Sequence, residues 1–503
     1  MLLDDFDHWA DLQPEAMAVR AGDRAVSYCD LRLLAQRLAQ QLASQGVGVG
    51  DRVAIHLPKG LDAVVAVLGV LYAGAAYVPI DPRTPNPRIV QILSVCRPHA
   101  IVGHVPTLES LAAFDATVLN KIILVAPDGT FAGWKNHPRA PNDSPAYILF
   151  TSGSTGIPKG VVISHAGAAG FVDWAKRTFA LTPADRFASF APLSFDLSVF
   201  DLFGALCSGA AVDLIATELM LRPTELVQRL GEWKTTTLYA VPSTLTLLER
   251  DGHLSGTRLP HLRQVLYAGE PFPIAGLIAA MQALPVAHFY NLFGPTETNV
   301  CTYHPILAPP LPSDTQVPIG KACDHLVVEL LDESGQLVPI DTEGELCVAG
   351  AAVMTEYFDN QPATLSAFHS ADLFADGQRR YRTGDCAVLD ASGRFWFRGR
   401  RDRLVKRRGY RVELGEIEAA LLRHPKIREA CAMAECDGAE TRIKAYVSTE
   451  AEAGLTSLIL RAHCGSLLPS YMVPDLVQIV DELPRTLSGK LDLQLLSQQG
   501  LVS

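Results

Sequence analysis

No two of the ten cysteines stand at the CxxC spacing; all ten are scattered along the 503-residue chain. A structural zinc site or a small disulfide-stapled domain needs closely spaced cysteines, so the sequence argues against both. Basic residues are also in the minority, because 43 lysines and arginines stand against 54 acids and give a net charge of −11. That balance argues against a general nucleic-acid binder.

Charged residues make up only 19% of the chain, which is too few for a disordered protein. Hydrophobic residues make up 48%, enough to fill large cores. The uncharged run 63–80 just reaches the length of a membrane span, but glycines and a proline interrupt it and no basic flank orients it. We predict a buried helix followed by a core strand. The acidic N-terminal segment lacks the regions of a signal peptide, so we expect a reduced, cytoplasmic protein with no membrane contact.

Helix-like and strand-like segments alternate through the first 300 residues, which predicts mostly parallel sheets covered by helices, an α/β fold. The predicted helices include 31–45, 168–179 and 202–209, and the predicted strands include 52–57, 146–150, 211–215 and 262–267. From about residue 317, short strands joined by tight turns predict an antiparallel, β-rich subdomain. The last hundred residues predict a small α+β domain.

The run 146–161, AYILFTSGSTGIPKGV, is an apolar strand followed by hydroxyl residues between glycines. Such a loop offers backbone N–H groups and side-chain hydroxyls together, which suits a polyphosphate, and a lysine adds positive charge. It lacks the Gly-Lys-Ser/Thr ending of a Walker A motif. Taken alone, it could equally be an ordinary Ser/Gly surface loop. The candidate phosphate-binding residues are Thr151, Ser152, Gly153, Ser154, Thr155, Gly156 and Lys159.

The whole string resembles the phosphate-binding signature of adenylate-forming enzymes, the superfamily of acyl-CoA synthetases, luciferases and peptide-synthetase adenylation domains. The resemblance covers nearly the whole chain and is closest to the amino-acid-activating branch. Its motifs are AGAAYVPID (73–81), SFDLSVFD (194–201), NLFGPTET (291–298), GELCVAG (344–350), YRTGD (381–385), GRRDRLVKRRGYRVELGEIE (399–418), LPSYMVP (468–474) and LSGKLD (487–492). The family fold implies a large N-terminal adenylation core, 1–401, and a small mobile C-terminal domain, 402–503, that carries the catalytic lysine.

The resemblance implies a reaction in two halves: a carboxylate attacks the α-phosphate of ATP to give an acyl-adenylate, and a thiol then takes the acyl group. Glu297 would bind Mg²⁺, for which a carboxylate oxygen is a suitable ligand. Asp385 would bind the ribose hydroxyls with help from Arg400. The residues implied around adenine are Gly269, Glu270, Pro271, Asn291, Leu292 and Phe293.

Lys490 in LSGKLD would be the catalytic residue, neutralising charge on the substrate carboxylate and on the forming adenylate. Near a chain end, a solvated lysine is the ordinary alternative. Asp402 matches the family's hinge, and Gly409 would lie beside the incoming thiol. The run 399–411 around them holds seven basic residues in thirteen. It is open to three interpretations: a solvated charged face, a docking surface for an acidic carrier protein, and, least favoured, a nucleic-acid site.

Asp196 and Lys490 would bracket an α-amino acid, the carboxylate holding the ammonium group and the lysine holding the carboxylate. A buried aspartate without a cationic partner is costly, which favours a substrate with a basic nitrogen. The other aligned pocket residues carry no charge, so the substrate is expected to be a compact hydrophobic amino acid. They are Leu197, Phe200, Tyr239, Leu266, Ala268, Leu292, Val300 and Cys301.

This pocket set, together with NLFGPTETNVCTYHP (291–305), resembles that of stand-alone proline-activating enzymes, which load L-proline onto a carrier protein for oxidation to a pyrrole. No Gly-Gly-x-Ser attachment serine occurs, so we expect phosphopantetheine on a separate carrier protein as the thiol acceptor. Three alternatives remain. They are activation of another small amino acid such as alanine or valine, an acyl-CoA synthetase, and a non-catalytic module that keeps the fold.

Overall fold

The computed structural model describes residues 2–104, 109, 111, 123–125, 139–153, 156–437, 440–449, 454–485 and 495–496. The chain divides into two compact units. The larger unit comprises Met1–Pro82, Ile92–Thr151 and Lys159–Arg401, and the smaller comprises Arg83–Gln91, Ser152–Pro158 and Asp402–Ser503. The assignment of ATP and amino-acid binding to 1–401 and of the catalytic lysine to 402–503 stays a prediction.

A nine-stranded sheet dominates the larger unit. Its inner strands pair in parallel, and antiparallel strands close both edges. Inner strands such as Thr237–Ala240 are buried at every position, as expected where both faces of a parallel sheet are covered. The strand order is Lys321–Ala322, Thr302–Ile306, His288–Phe293, Gln264–Tyr267, Thr237–Ala240, Arg186–Ser189, Ala211–Leu214, Met17–Ala21, Arg24–Ser27.

A seven-stranded sheet forms the second layer of strands in this unit. The order is Glu356–Tyr357, Lys159–Ser164, Pro145–Thr151, Ala76–Pro79, Arg52–His56, Ala100–Gly103, Ile123–Val125. The uncharged run 63–80 is confirmed as a buried helix, Leu61–Tyr72, followed by the fully buried strand Ala76–Pro79. Within the described residues, no helix has both the length and the apolar character needed to cross a bilayer.

Helices fill the connections, so the predicted α/β fold class is confirmed. Ser27 and Ser164 begin two of them, each accepting a hydrogen bond from a backbone N–H three residues ahead. The helix predicted at 202–209 begins earlier, at Leu197, and contains a π-helical turn, Phe200–Gly204. Residues 197–207 are buried at every position, so apolar periodicity shows neither the start of the helix nor the extra residue of this turn. The α-helices before residue 402 are Leu2–Leu12, Tyr28–Ser44, Leu61–Tyr72, Asn86–Cys96, His165–Thr178, Leu197–Val199, Thr217–Met220, Pro223–Glu232, Pro242–Arg250, Ile274–Ala283 and Gln361–Ser366, with a 3₁₀ turn at Ala371–Leu373.

The antiparallel, β-rich segment predicted beyond residue 317 is also confirmed. Four strands lie in the order Val327–Leu331, Glu343–Ala349, Arg380–Leu389, Phe368–His369. A fifth strand, Phe395–Arg400, pairs with Arg380–Leu389.

The C-terminal part of the smaller unit has its own α+β core, as predicted. A hairpin, Leu404–Arg407 with Tyr410–Glu413, precedes a three-stranded sheet. Ile417, Ile443 and Leu460 belong to the hydrophobic cluster that joins the helices to this sheet. The remaining elements are the helices Leu414–Leu422 and Ser457–Leu467, the 3₁₀ turn Ser470–Met472, and the strands Ile427–Asp437, Glu440–Thr449 and Leu476–Val480.

Candidate active site

Neighbouring strands of the nine-stranded sheet place the candidate pocket residues together. Tyr239 and Leu266 are in register on adjacent parallel strands, and the Phe200 ring meets the Tyr239 ring edge-on at 5.2 Å. Both strands end just beyond these residues, at the sheet edge where α/β folds bind ligands. All eight uncharged pocket candidates are buried and belong to one hydrophobic cluster: Leu197, Phe200, Tyr239, Leu266, Ala268, Leu292, Val300 and Cys301.

Asp196 is the acid of this pocket, and its exposed fraction is only 8%. It immediately precedes the short helix Leu197–Val199. Burial raises the pKa of the phenols of Tyr147 and Tyr239, and the nearby Asp196 carboxylate raises both further. The carboxylate therefore lies among aromatic residues, where a charge is unfavourable unless a cation accompanies it.

Asp201, five residues later, is a second buried acid that the sequence analysis did not single out. It is 1% exposed, and a hydrogen bond with the Ser189 side chain opposes the effect of burial on the pKa of its carboxyl group. Burial raises the pKa of Asp201 to about 7, and the ammonium of Lys59 opposes that rise. Lys59 Nζ itself donates to the carbonyl oxygen of Ser189 at 2.5 Å. The only sequence signal was that Asp201 is the second aspartate of SFDLSVFD.

Replacing Asp201 with asparagine should flatten the dependence of thermal stability on pH. The folded protein holds this proton more tightly than the unfolded chain. Its stabilising contribution is therefore complete below about pH 4 and is lost as the pH rises toward 7. We expect the Tm of the wild type to fall more between pH 5 and pH 8 than that of Asp201→Asn. Parallel Tm curves in a buffer series would show that Asp201 does not titrate in this range.

Thr151 and Lys159 face each other across an antiparallel pair of strands at the predicted phosphate loop. The Thr151 hydroxyl oxygen is buried and has no hydrogen-bond partner among the described residues. Lys159 Nζ lies 5.4 Å from the centre of the Tyr357 ring, and the Tyr357 hydroxyl donates to Glu297 Oε1 at 2.7 Å. Glu297 is fully buried. The larger unit thus brings a buried hydroxyl, an ammonium group and a carboxylate into one region.

These groups fit a magnesium–nucleotide ligand. A hydroxyl without a protein partner and a lysine are suitable donors to phosphate oxygens, and a carboxylate is a suitable ligand for Mg²⁺. Thr151 and Lys159 would contact the phosphates, and Glu297 would hold the metal. These roles remain proposals.

Replacing Thr151 with valine separates ATP binding from stability. Valine keeps the shape and favours a strand, and it removes a buried hydroxyl that has no described partner. We expect the KM for ATP to rise by about tenfold, the usual effect of losing one hydrogen bond to a charged group. The Tm should stay level or rise. A fall in Tm with an unchanged KM would mean that the hydroxyl has a structural role.

Ser152 and Gly153 belong to the smaller unit. The Ser152 hydroxyl donates to the carbonyl oxygen of Arg411 at 3.0 Å and accepts from the N–H of Glu413 at 3.2 Å, and the N–H of Gly153 donates to Glu416 at 3.3 Å. In this arrangement Ser152 and Gly153 already have protein partners, so binding phosphate through them requires an exchange of partners. Gly156 has a φ of +77°, which glycine adopts without strain. Ser154, Thr155 and Lys490 lie outside the described residues.

The residues implied around the nucleoside divide into two groups. Asp385 is paired in register with Arg400, whose guanidinium donates to the carboxylate, so the predicted ribose pair is in contact. Asn291 donates to the carbonyl oxygen of Pro318 at 2.9 Å, and the Phe293 ring lies 5.8 Å from the Phe397 ring.

The turn after strand Gln264–Tyr267 carries the other three adenine candidates. Gly269 has a φ of +90°, and Glu270 accepts a hydrogen bond from the N–H of Ser243 at 3.1 Å. Pro271 is exposed. Adenine contact by these residues stays a prediction.

The basic run 399–411 forms ion pairs inside each unit. Arg400 and Arg407 are only 11% and 5% exposed and pair with Asp385 and Asp475, so the interpretation as a solvated charged face is wrong for these two residues. The other two pairs are Arg401 with Glu345 and Arg403 with Glu418. Asp402 begins the C-terminal segment of the smaller unit and accepts a hydrogen bond from the N–H of Leu404, and Gly409 has a φ of +79°. The hinge and thiol roles stay predictions.

Glu345, Cys347 and His369 place potential metal-ligand atoms within 4.8 Å of one another. Glu345 Oε2, however, already accepts hydrogen bonds from Arg382 at 3.0 Å and from Arg401 at 3.3 Å. Two guanidinium groups on one carboxylate repel a cation. We therefore assign Glu345 to an ion-pair network and not to a metal site.

Comparison with known families gives two matches on this chain. The family described as AMP-binding enzyme matches residues 6–358, and the AMP-binding enzyme C-terminal domain matches residues 416–490. Together they span both compact units.

Two curated proteins named L-proline–[L-prolyl-carrier protein] ligase are similar along nearly their full length. The protein from Pseudomonas fluorescens is 36% identical over 97% of this chain and 96% of its own, and that from Streptomyces coelicolor is 36% identical over 95% and 93%. Among solved structures, holo-PA1221, a peptide-synthetase protein with adenylation and carrier domains, aligns with a TM-score of 0.84 at 27% identity. The alignment covers 99% of this chain and 84% of that one. These matches agree with the fold described above.

Proposed function

The chain belongs to the AMP-binding enzyme family and is therefore an ATP-dependent adenylating ligase; from that premise we propose that it activates a small apolar α-amino acid, most specifically L-proline. The aminoacyl group would then pass to the phosphopantetheine thiol of a separate carrier protein. The final product would belong to a pyrrole-forming natural-product pathway.

The observation that carries this proposal is the buried carboxylate of Asp196 beside eight buried, uncharged pocket residues. A carboxylate 8% exposed among aromatic rings is a suitable binding group for a cation, and the ammonium of an amino acid is such a cation. The eight pocket candidates of the hydrophobic cluster carry no charge themselves, which suits an apolar substrate side chain. The two ligases that are 36% identical support proline and carrier loading in particular, since their names state both.

In the proposed mechanism, the chain positions two reactants and neutralises charge. Asp196 holds the ammonium group, which leaves the substrate carboxylate free to attack the α-phosphorus of ATP. The new oxygen–phosphorus bond forms as the bond to pyrophosphate breaks. Lys490 would stabilise the charge that develops on the oxygens, while Thr151 and Lys159 hold the phosphates. Mg²⁺, bound through Glu297, would neutralise phosphate charge.

In the second half-reaction, a thiolate sulfur attacks the acyl carbon and AMP leaves with the electron pair of the acyl–oxygen bond. The thiol proton passes to solvent or phosphate, so the products are a thioester and AMP. The chain contributes no nucleophile of its own to this step. The acceptor therefore decides between a carrier-protein ligase and an acyl-CoA synthetase.

The test follows thioester formation by mass spectrometry with proline and ATP. We expect acylation of a holo-carrier protein, taken from a proline-loading system, and no detectable prolyl-CoA. Equal transfer to coenzyme A would favour the acyl-CoA synthetase. Activation of alanine or valine ahead of proline would keep the reaction class and overturn the proline assignment.

A further inference from the structure

Lys59 joins the two large sheets at the ends of their strands. It lies in the turn between strand Arg52–His56 of the seven-stranded sheet and helix Leu61–Tyr72. Its Nζ donates to the carbonyl oxygen of Ser189 at 2.5 Å, and Ser189 is the last residue of strand Arg186–Ser189 in the nine-stranded sheet. The lysine therefore connects the carboxyl ends of two strands from different sheets, the part of an α/β fold that binds ligands.

The strand that Lys59 contacts supports the candidate pocket. Ser189 stands in register with Tyr239 on the adjacent parallel strand. The π-helical turn packs against the strand of Ser189, and the Phe200 ring lies 5.5 Å from the ring of Phe187 on that strand and 5.2 Å from the ring of Tyr239. Two pocket residues, Phe200 and Tyr239, thus rest on the strand whose end Lys59 holds.

Asp201 brings the opposite charge to the same place. It follows Phe200 in the π-helical turn and is 1% exposed. Burial raises the pKa of Asp201, and the Lys59 ammonium and a hydrogen bond with the Ser189 side chain oppose that rise. Ser189 therefore meets the lysine through its carbonyl oxygen and the aspartate through its hydroxyl. Removing one partner of such a buried pair leaves the other charge uncompensated.

The contact of Asp201 bears directly on the pocket wall. Asp201 and Phe200 are consecutive residues, so a carboxylate held at Ser189 fixes the backbone from which the Phe200 ring projects. Protein interiors are packed as densely as organic crystals, so a ring that keeps its place leaves no room for an additional methylene group in front of it.

We propose that Lys59 and Asp201 are positioning residues for the amino-acid pocket: their charges, joined through Ser189, hold Phe200 against Tyr239 and so set the size of the substrate side chain that the pocket accepts. The inference rests on the proposed function. Both residues act through Phe200, and neither belongs to the pocket set that the family resemblance implies.

Lys59→Met tests this role, because methionine keeps most of the length of the side chain and removes its charge. The assay is pyrophosphate exchange with the amino acid that the wild type activates best and with its homologue one methylene larger (proline and pipecolic acid, if proline is the substrate). The wild type should favour the smaller acid about 10- to 200-fold, the usual effect of one methylene. In Lys59→Met that preference should fall at least about fivefold, while the KM for ATP stays within about twofold. Lys321→Met, a change at an exposed lysine of the same unit, should leave the preference unchanged.

Two further variants show whether the paired charges are the cause. Lys59→Arg keeps the cation and should keep most of the preference. Lys59→Met combined with Asp201→Asn removes both charges, so the double variant should retain more of the preference than the two single losses added together predict. An unchanged preference in Lys59→Met would overturn the inference, and so would additive losses or an equal loss of activity with both amino acids. Failure of the proposed function would show separately, as a wild type without amino-acid-dependent exchange.

Discussion

Replacing Lys490 with alanine should lower the rate of aminoacyl-adenylate formation by about 100- to 1000-fold, the usual effect of removing one group that stabilises transition-state charge. The phosphorus acquires charge as the carboxylate oxygen approaches, and the ammonium group would neutralise it only there. The loss should therefore appear in kcat more than in either KM. Pyrophosphate release with saturating ATP and amino acid measures it.

Lys426→Ala is the matched control, because Lys426 is an exposed lysine of the same unit. It should keep adenylation within about twofold, and both variants should keep the wild-type Tm. Adenylation that survives in Lys490→Ala would mean that Lys490 is an ordinary solvated lysine and that another cation serves the reaction.

Replacing Asp196 with asparagine should raise the KM for the amino acid by about 100-fold while the KM for ATP stays unchanged. Asparagine has nearly the same size, so the pocket keeps its shape and loses its charge. Leaving the substrate ammonium buried without a counter-charge costs roughly 2–5 kcal/mol, which corresponds to about 30- to 4000-fold in affinity. Amino-acid saturation curves at fixed, saturating ATP give the value.

The control for Asp196 is Asp173→Asn, a change of the same kind on an acid whose side chain is 53% exposed on helix His165–Thr178. It should leave both KM values unchanged. If Asp196→Asn raised the KM for ATP by the same factor as that for the amino acid, the aspartate would be supporting the site as a whole and not the ammonium.

Much of this architecture could be predicted because its local signals are strong. The buried helix and strand of 63–80, the alternation of helices and strands, and the late antiparallel segment follow from apolar periodicity and turn residues. The motif SFDLSVFD also predicted that Asp196 lies in the pocket, and the structure shows Asp196 buried beside apolar pocket residues. Pairing between strands such as 237–240 and 264–267 places residues that are distant in sequence next to each other. A single sequence indicates such pairing only through its resemblance to a family.

Two features had no sequence signal of that kind. The π-helical turn at Phe200–Gly204 lies in a run that is buried at every position, so apolar periodicity does not reveal its extra residue. The burial of Asp201 depends on what surrounds its side chain in space. The basic run also suggested a solvated charged face, which is wrong for Arg400 and Arg407. The acids that pair with these two residues lie 15 and 68 residues away in sequence, so the run itself gives no sign of them.

In the proposed site, Asp196 and Lys490 would hold the two ends of one zwitterion by opposite charges. Pyrophosphate exchange with proline and with cyclopentanecarboxylic acid, which keeps the ring and carboxylate but has no nitrogen, tests it most directly. We predict that proline supports exchange and that the nitrogen-free acid is activated at least about 100-fold less efficiently, a gap that shrinks in Asp196→Asn. Equal activation of the two acids by the wild type would contradict the account.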